Sequence, residues 1–127
     1  MECKKRFFVC KHCGNMVGMI FCSGVPIICC GEPMNELQAN VEDASQEKHV
    51  PVIKKDGNLI TVEIGSAPHP MTDAHLIEWV YLETKNGGQR KILKAGDPPS
   101  VSFLLKDDEA VCAFAYCNLH GLWKADV

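Results

Sequence analysis

The chain has 127 residues, eight of them cysteine, with a formal net charge of -3, 46% hydrophobic and 23% charged residues. That length allows one ordinary domain, or one domain with a small stapled module, but not two full cores. The balance excludes a disordered or fibrous chain, and with no basic cluster longer than Lys4-Lys5-Arg6 it also excludes the concentrated positive footprint that nucleic acid requires.

The opening stretch, MECKKRFFVCKHCG, holds too short an apolar run for a secretory core, and no run approaches a membrane span. With no export signal, the expected compartment is the reducing cytosol, where clustered thiols hold metal more often than they pair. The cysteines are unevenly placed. Cys3, Cys10, Cys13, Cys22, Cys29 and Cys30 fall in the first quarter, whereas His49, His69, His75 and His120 come later. This break points to two modules joined by the polar stretch NELQANVEDASQEKH.

Across 1–36, short apolar pieces (Phe7 to Val9, Met16 to Phe21, Val25 to Ile28) alternate with glycine and proline. They are too short for helices and predict small strands with tight turns. So few apolar residues need a staple, and bound metal can supply the missing folding free energy. Asp43 to Lys48 could form a turn of helix. Beyond it the pattern predicts strands at 50–54, 59–64, 75–83, 90–94, 100–105 and 111–117. They are separated by turns at Lys55-Asp56-Gly57-Asn58, Asn86-Gly87-Gly88 and Gly96-Asp97-Pro98-Pro99. In 75–83, Leu76, Glu78, Val80 and Leu82 should share one face, and His75, Ile77, Trp79 and Tyr81 the other. The expected fold is all-β: a small metal-bound module followed by an immunoglobulin-like sandwich.

CKHCG, Cys10 to Gly14, is a C-x-x-C knuckle that aims two sulfurs at one point, with glycine permitting the left-handed backbone. ICCGEPM adds Cys29 and Cys30, completing a set of four thiolates suited to iron or zinc. Neighbouring strand residues point to opposite faces, so this vicinal pair can share one ion only if the backbone bends sharply. The site should therefore be distorted. A Cys10–Cys13 redox disulfide and free buried thiols are the metal-free alternatives. Cys3, Cys22 and Cys112 stand outside the pattern and read as small buried residues or incidental thiols.

EKHVPVI, HPMTDAH and CNLHGLW each place candidate ligands at a strand–loop border, where one end of a sandwich could gather them. Together they offer His49, His69, His75, His120 and the sulfur of Cys117. Spacing alone leaves two readings open, a metal site or separate hydrogen-bonded histidines.

Taken in order, these motifs resemble those of the desulfoferrodoxins, the two-iron class of superoxide reductases. CKHCG and ICCGEPM resemble their desulforedoxin-like module, here 1–37. EKHVPVI, HPMTDAHLIEW and CNLHGLWKA resemble their catalytic β-sandwich, here 38–127, with 38–48 as linker and active-site loop. The resemblance implies two irons per chain. Cys10, Cys13, Cys29 and Cys30 would hold a distorted Fe(Cys)4 centre. His49, His69, His75 and His120 would ring a second iron, with Cys117 as its axial sulfur and the opposite position open. It further implies one-electron reduction of superoxide to hydrogen peroxide, with Lys48 attracting the anion and organising a proton-donating water, and Glu47 closing the open position after product leaves. Without it, the two would read as ordinary exposed charges. A rubredoxin-like donor, a cytoplasmic location and a homodimer are also implied. The competing reading is a small electron-transfer protein that works through the four-cysteine iron, and a zinc-stabilised interaction module is a third.

Overall fold

The computed structural model describes residues 4–127, which fall into two units, Lys4–Gln38 and Ala39–Val127. Cys3 lies outside the described residues. In the first unit the interruptions by glycine and proline keep every strand to two or three residues. Strands β1 (Phe7–Val9), β2 (Met16–Gly18) and β5 (Asn35–Glu36) form a sheet in the order β2-β1-β5, while β3 (Ile28–Cys29) and β4 (Glu32–Pro33) form a hairpin. The strand expected over Met16 to Phe21 stops at Gly18, and Ile20 and Phe21 project into solvent. Phe7, Cys10 and Met34 are the buried apolar residues here.

The second unit begins with a single helical turn, α1 (Gln46–His49), where the sequence suggested one. Seven strands follow: β6 (Pro51–Asp56), β7 (Leu59–Ile64), β8 (Ile77–Thr84), β9 (Gly87–Ile92), β10 (Ser100–Leu104), β11 (Ala110–Cys117) and β12 (Gly121–Asp126). They make sheets of order β10-β7-β6 and β12-β11-β8-β9, all neighbours antiparallel. Alternating apolar residues put Ile60, Val62, Val101 and Phe103 of one sheet against Val80, Leu82, Ala113 and Ala115 of the other. This is the sandwich core. No helix among the described residues is long and apolar enough to cross a membrane.

Four expectations need correction. Strand β12 was not among the predicted strands, yet it pairs with β11 from Cys112↔Asp126 to Cys117↔Gly121. Strand β9 begins at Gly87, so the turn is only Lys85-Asn86; a Cβ on Gly88 would lie 2.1 Å from the Tyr81 hydroxyl, which explains glycine inside a strand. The simple alternation in β8 also fails, because Tyr116 pairs with Trp79 but Cys117 with Ile77, leaving Glu78 as an extra residue. Such a bulge rotates the chain, and Ile77 joins Val80 and Leu82 in the core. Finally, Cys112 is buried as expected but is disulfide-bonded rather than a free thiol.

Candidate metal centres

The knuckle forms by backbone bonding, with Gly14 N–H donating to the Cys10 carbonyl at 2.9 Å and Cys10 N–H to the Asn15 carbonyl at 2.8 Å. The bend demanded by Cys29-Cys30 is present: Cys30 has φ 51° and Gly31 φ 78°, both left-handed. That reversal turns Cys30 back toward its neighbour, and the sulfurs of Cys10, Cys13, Cys29 and Cys30 lie within 4.8 Å of one another. Cys13 Sγ and Cys29 Sγ are 3.6 Å apart. A tetrahedron with metal–sulfur bonds of about 2.3 Å has edges of about 3.8 Å, so the set fits one ion. The charge pattern agrees. Backbone N–H groups of Cys13 and His12 pull the Cys10 thiol down to about 6, while hydrogen bonding to Cys13 and Cys10 pushes Cys30 up to about 12. Cys10 sheds its proton readily, whereas Cys29 and Cys30 hold theirs until a cation is present. His12 points away and meets Glu32 at 3.0 Å.

In the second unit, α1 delivers His49, the loop after β7 delivers His69 and His75, the end of β11 delivers Cys117, and the β11–β12 turn delivers His120. One donor atom each from His49, His69, His75 and Cys117 falls within a 4.8 Å cluster. His120 Nδ1 lies 3.1 Å from His49 Nε2 and 3.8 Å from Cys117 Sγ. The structure thus brings all five sequence-predicted residues together.

Their hydrogen bonds fix which nitrogen faces inward. His49 Nδ1 donates to the Ser45 carbonyl and His69 Nδ1 to the Pro70 carbonyl, each at 2.6 Å. A carbonyl only accepts, so Nδ1 carries the proton and Nε2 of each neutral ring presents a bare lone pair. Burial keeps both rings neutral: it lowers His49 and holds His69 down to about 4. Yet His49 Nε2 and His69 Nε2 approach to 3.2 Å, a repulsive arrangement until a cation lies among them. His75 Nε2 is buried with no hydrogen-bond partner among the described residues. These orphaned lone pairs, beside a buried sulfur, fit a divalent metal whose histidine ligands are held by backbone carbonyls.

Glu47 and Lys48 are exposed on α1, and the Lys48 charge is felt at His49 and His75, where it adds to the lowering by burial. The helix is pinned by Ala67 N–H and Ser66 Oγ, which donate to the Glu47 carbonyl at 2.9 and 3.2 Å. Gly65 makes this approach possible, since a Cβ there would lie 2.4 Å from the Glu47 oxygen. Gly65 has no local signature in the sequence, because what requires it is the close approach of a distant backbone segment.

Comparison with known proteins agrees with this geometry. The Desulfoferrodoxin family model matches residues 41–126. Desulfoferrodoxin from Nitratidesulfovibrio vulgaris is 45% identical over 119 residues, covering 94% of this chain and 94% of that protein. A superoxide reductase from Pyrococcus horikoshii is 38% identical, covering 67% of this chain and 90% of its own length. The crystal structure of the superoxide reductase from Treponema pallidum superposes with a TM-score of 0.82 at 36% identity, covering 97% of this chain and 99% of that one. The family model spans the histidine-bearing motifs and Cys117, and this chain belongs to the desulfoferrodoxin family.

Proposed function

We propose that this chain is a superoxide reductase, taking superoxide, one electron and two protons to hydrogen peroxide at the His4Cys group. The observation that carries the reading is the convergence of four imidazoles and one buried thiol with inward lone pairs left without partners. Iron bound there would supply the electron by passing between its ferrous and ferric states.

In this reading His49, His69, His75, His120 and Cys117 would hold the metal, with the Cys117 side chain buried in the sandwich core. Burial raises the Cys117 thiol, and the peptide N–H groups of Leu119 and His120 pull it the other way. Those donors support a thiolate where apolar surroundings alone would oppose it. Lys48 draws the anion in by its charge and holds the water that delivers a proton. Glu47, on the same helical turn, would close the site once hydrogen peroxide leaves.

The four-cysteine group, in module 1–37, holds the chain's other iron, which is structural first and an electron relay second. Catalytic module 38–127 is re-reduced by a rubredoxin-like donor in the cytoplasm. A second copy of the chain covers the apolar residues Ile20, Phe21, Val25 and Ile28, which are exposed in the small module, giving a homodimer.

The test is anaerobic mixing of reduced protein with superoxide. Superoxide consumption with hydrogen peroxide formed one for one, and without evolved dioxygen, is expected. Dioxygen release at half the superoxide consumed would mean dismutation and overturn the reading, as would no consumption.

A further inference from the structure

We infer that Asn118 is a positioning residue for the second centre: its carboxamide braces the turn carrying Cys117 and His120 against the loop carrying His75. The inference rests on the functional reading above and deepens it. The need for a brace follows from the ladder. At the end of β11 the pairing with β8 is broken by the Glu78 bulge, so regular sheet bonding does not fix Cys117 against the residues before Ile77. Asn118 fills that gap with three bonds. Its Oδ1 accepts the Leu76 N–H at 3.0 Å, its Nδ2 donates to the Ala74 carbonyl at 3.0 Å, and its own N–H donates to the Leu76 carbonyl at 3.2 Å.

Ala74 and Leu76 flank His75, so the side chain grips both sides of that ligand. His75 needs this more than its neighbours do. The rings of His49 and His69 are each oriented by a carbonyl at Nδ1, whereas among the described residues no carbonyl holds the ring of His75, whose buried Nε2 faces the other ligands without a partner. Its aim is therefore set by its backbone, which Thr72 holds from the other side through a 3.1 Å bond from His75 N–H to Thr72 Oγ1. Only a side chain with a donor and an acceptor on one plane can serve Ala74 and Leu76 together. Aspartate keeps the acceptor and loses the donor.

The experiment compares full-length wild type, Asn118→Ala and Asn118→Asp, all iron-loaded anaerobically. The readouts are iron transfer from the second centre to a chelator and the sulfur-to-iron charge-transfer band after oxidation. A third readout is amide exchange at Leu76 in metal-free protein, and the colour of the four-cysteine centre serves as internal control. Loss of a residue that orients ligands weakens metal binding by about 10–100-fold. We expect that loss for Asn118→Ala, with a shifted band and a deprotected Leu76 amide. Asn118→Asp should keep Leu76 protected and fall between, and it gives the answer by itself if Asn118→Ala does not fold. Wild-type-like iron retention and band position in a folded variant would overturn the proposal. Wild-type protein that binds no iron at this centre would overturn the functional reading beneath it, while Leu76 exchange would still report the brace separately.

Discussion

The Trp123 indole lies against the His49 imidazole, with ring centroids 4.8 Å apart and planes 30° from parallel, and its Nε1–H donates to the His120 carbonyl at 3.0 Å. One buried side chain thus touches one histidine and fixes the backbone of another. Trp123 is 1% exposed, so Trp123→Ala should cost about 3–5 kcal/mol through the cavity it leaves. Trp123→Phe keeps the stack but leaves the His120 carbonyl without its donor, a loss of about 0.5–1.5 kcal/mol. Thermal unfolding of the sandwich checks the order. Equal losses in the two variants would show that the hydrogen bond, and not the packing, is what matters.

Gly65→Ala should misplace α1 with little effect on the rest of the sandwich. The added Cβ would lie 2.4 Å from the Glu47 oxygen and 2.8 Å from the Lys48 carbonyl carbon, and backbone cannot swing aside as a flexible side chain can. A displacement of about 1 Å in a reacting group can cost about 10²-fold in rate. A loss of that order in the superoxide reaction is expected, together with weaker metal binding through His49. Circular dichroism should stay that of the wild type. A variant with the wild-type rate would show that α1 tolerates the shift.

Lys48→Ala should slow the encounter with superoxide and flatten its dependence on ionic strength, because the attraction of an exposed ammonium for an anion is screened over about 10 Å at 0.1 M salt. The side chain is exposed and its charge is felt at His49 and His75. Stopped-flow rates over a salt series provide the measurement. An unchanged slope would remove the steering role and leave Lys48 as a solvated surface charge.

These positions differ in how far the sequence announced them. The ligand sets were legible because ligation needs particular side chains, and CKHCG, ICCGEPM, EKH, HPMTDAH and CNLH carry those side chains openly. The bend at Cys30 was legible too, since two adjacent sulfurs can meet one ion only through a reversed backbone. Hidden from the sequence was whatever depends on register. The bulge at Glu78 rotated Ile77 into the core against its alternation, and strand β12 was obscured because Gly121 to Asp126 follows directly on a ligand motif. Gly65 and the three bonds of Asn118 are long-range contacts, and no local pattern encodes them. The sequence therefore revealed the chemistry of the site, and the fold was needed to show how its ligands are held.

Metal removal should separate the two units of the chain. Among the described residues of Lys4–Gln38, the buried apolar side chains are Phe7, Cys10 and Met34, and Cys10 is itself one of the four clustered sulfurs. At about 25 cal/mol per Å² so small a core cannot offset the backbone entropy of ordering a module this size. The sandwich, by contrast, buries a continuous core from both sheets. Stripping the four-cysteine centre, or replacing Cys30 by serine, should therefore unfold 4–38 while 39–127 remains folded. Amide exchange resolved by residue is the measurement. Loss of protection in β1, β2 and β5 with β7, β8 and β11 still protected is the expected result, and a small module that keeps its protection without metal would show that its apolar contacts suffice.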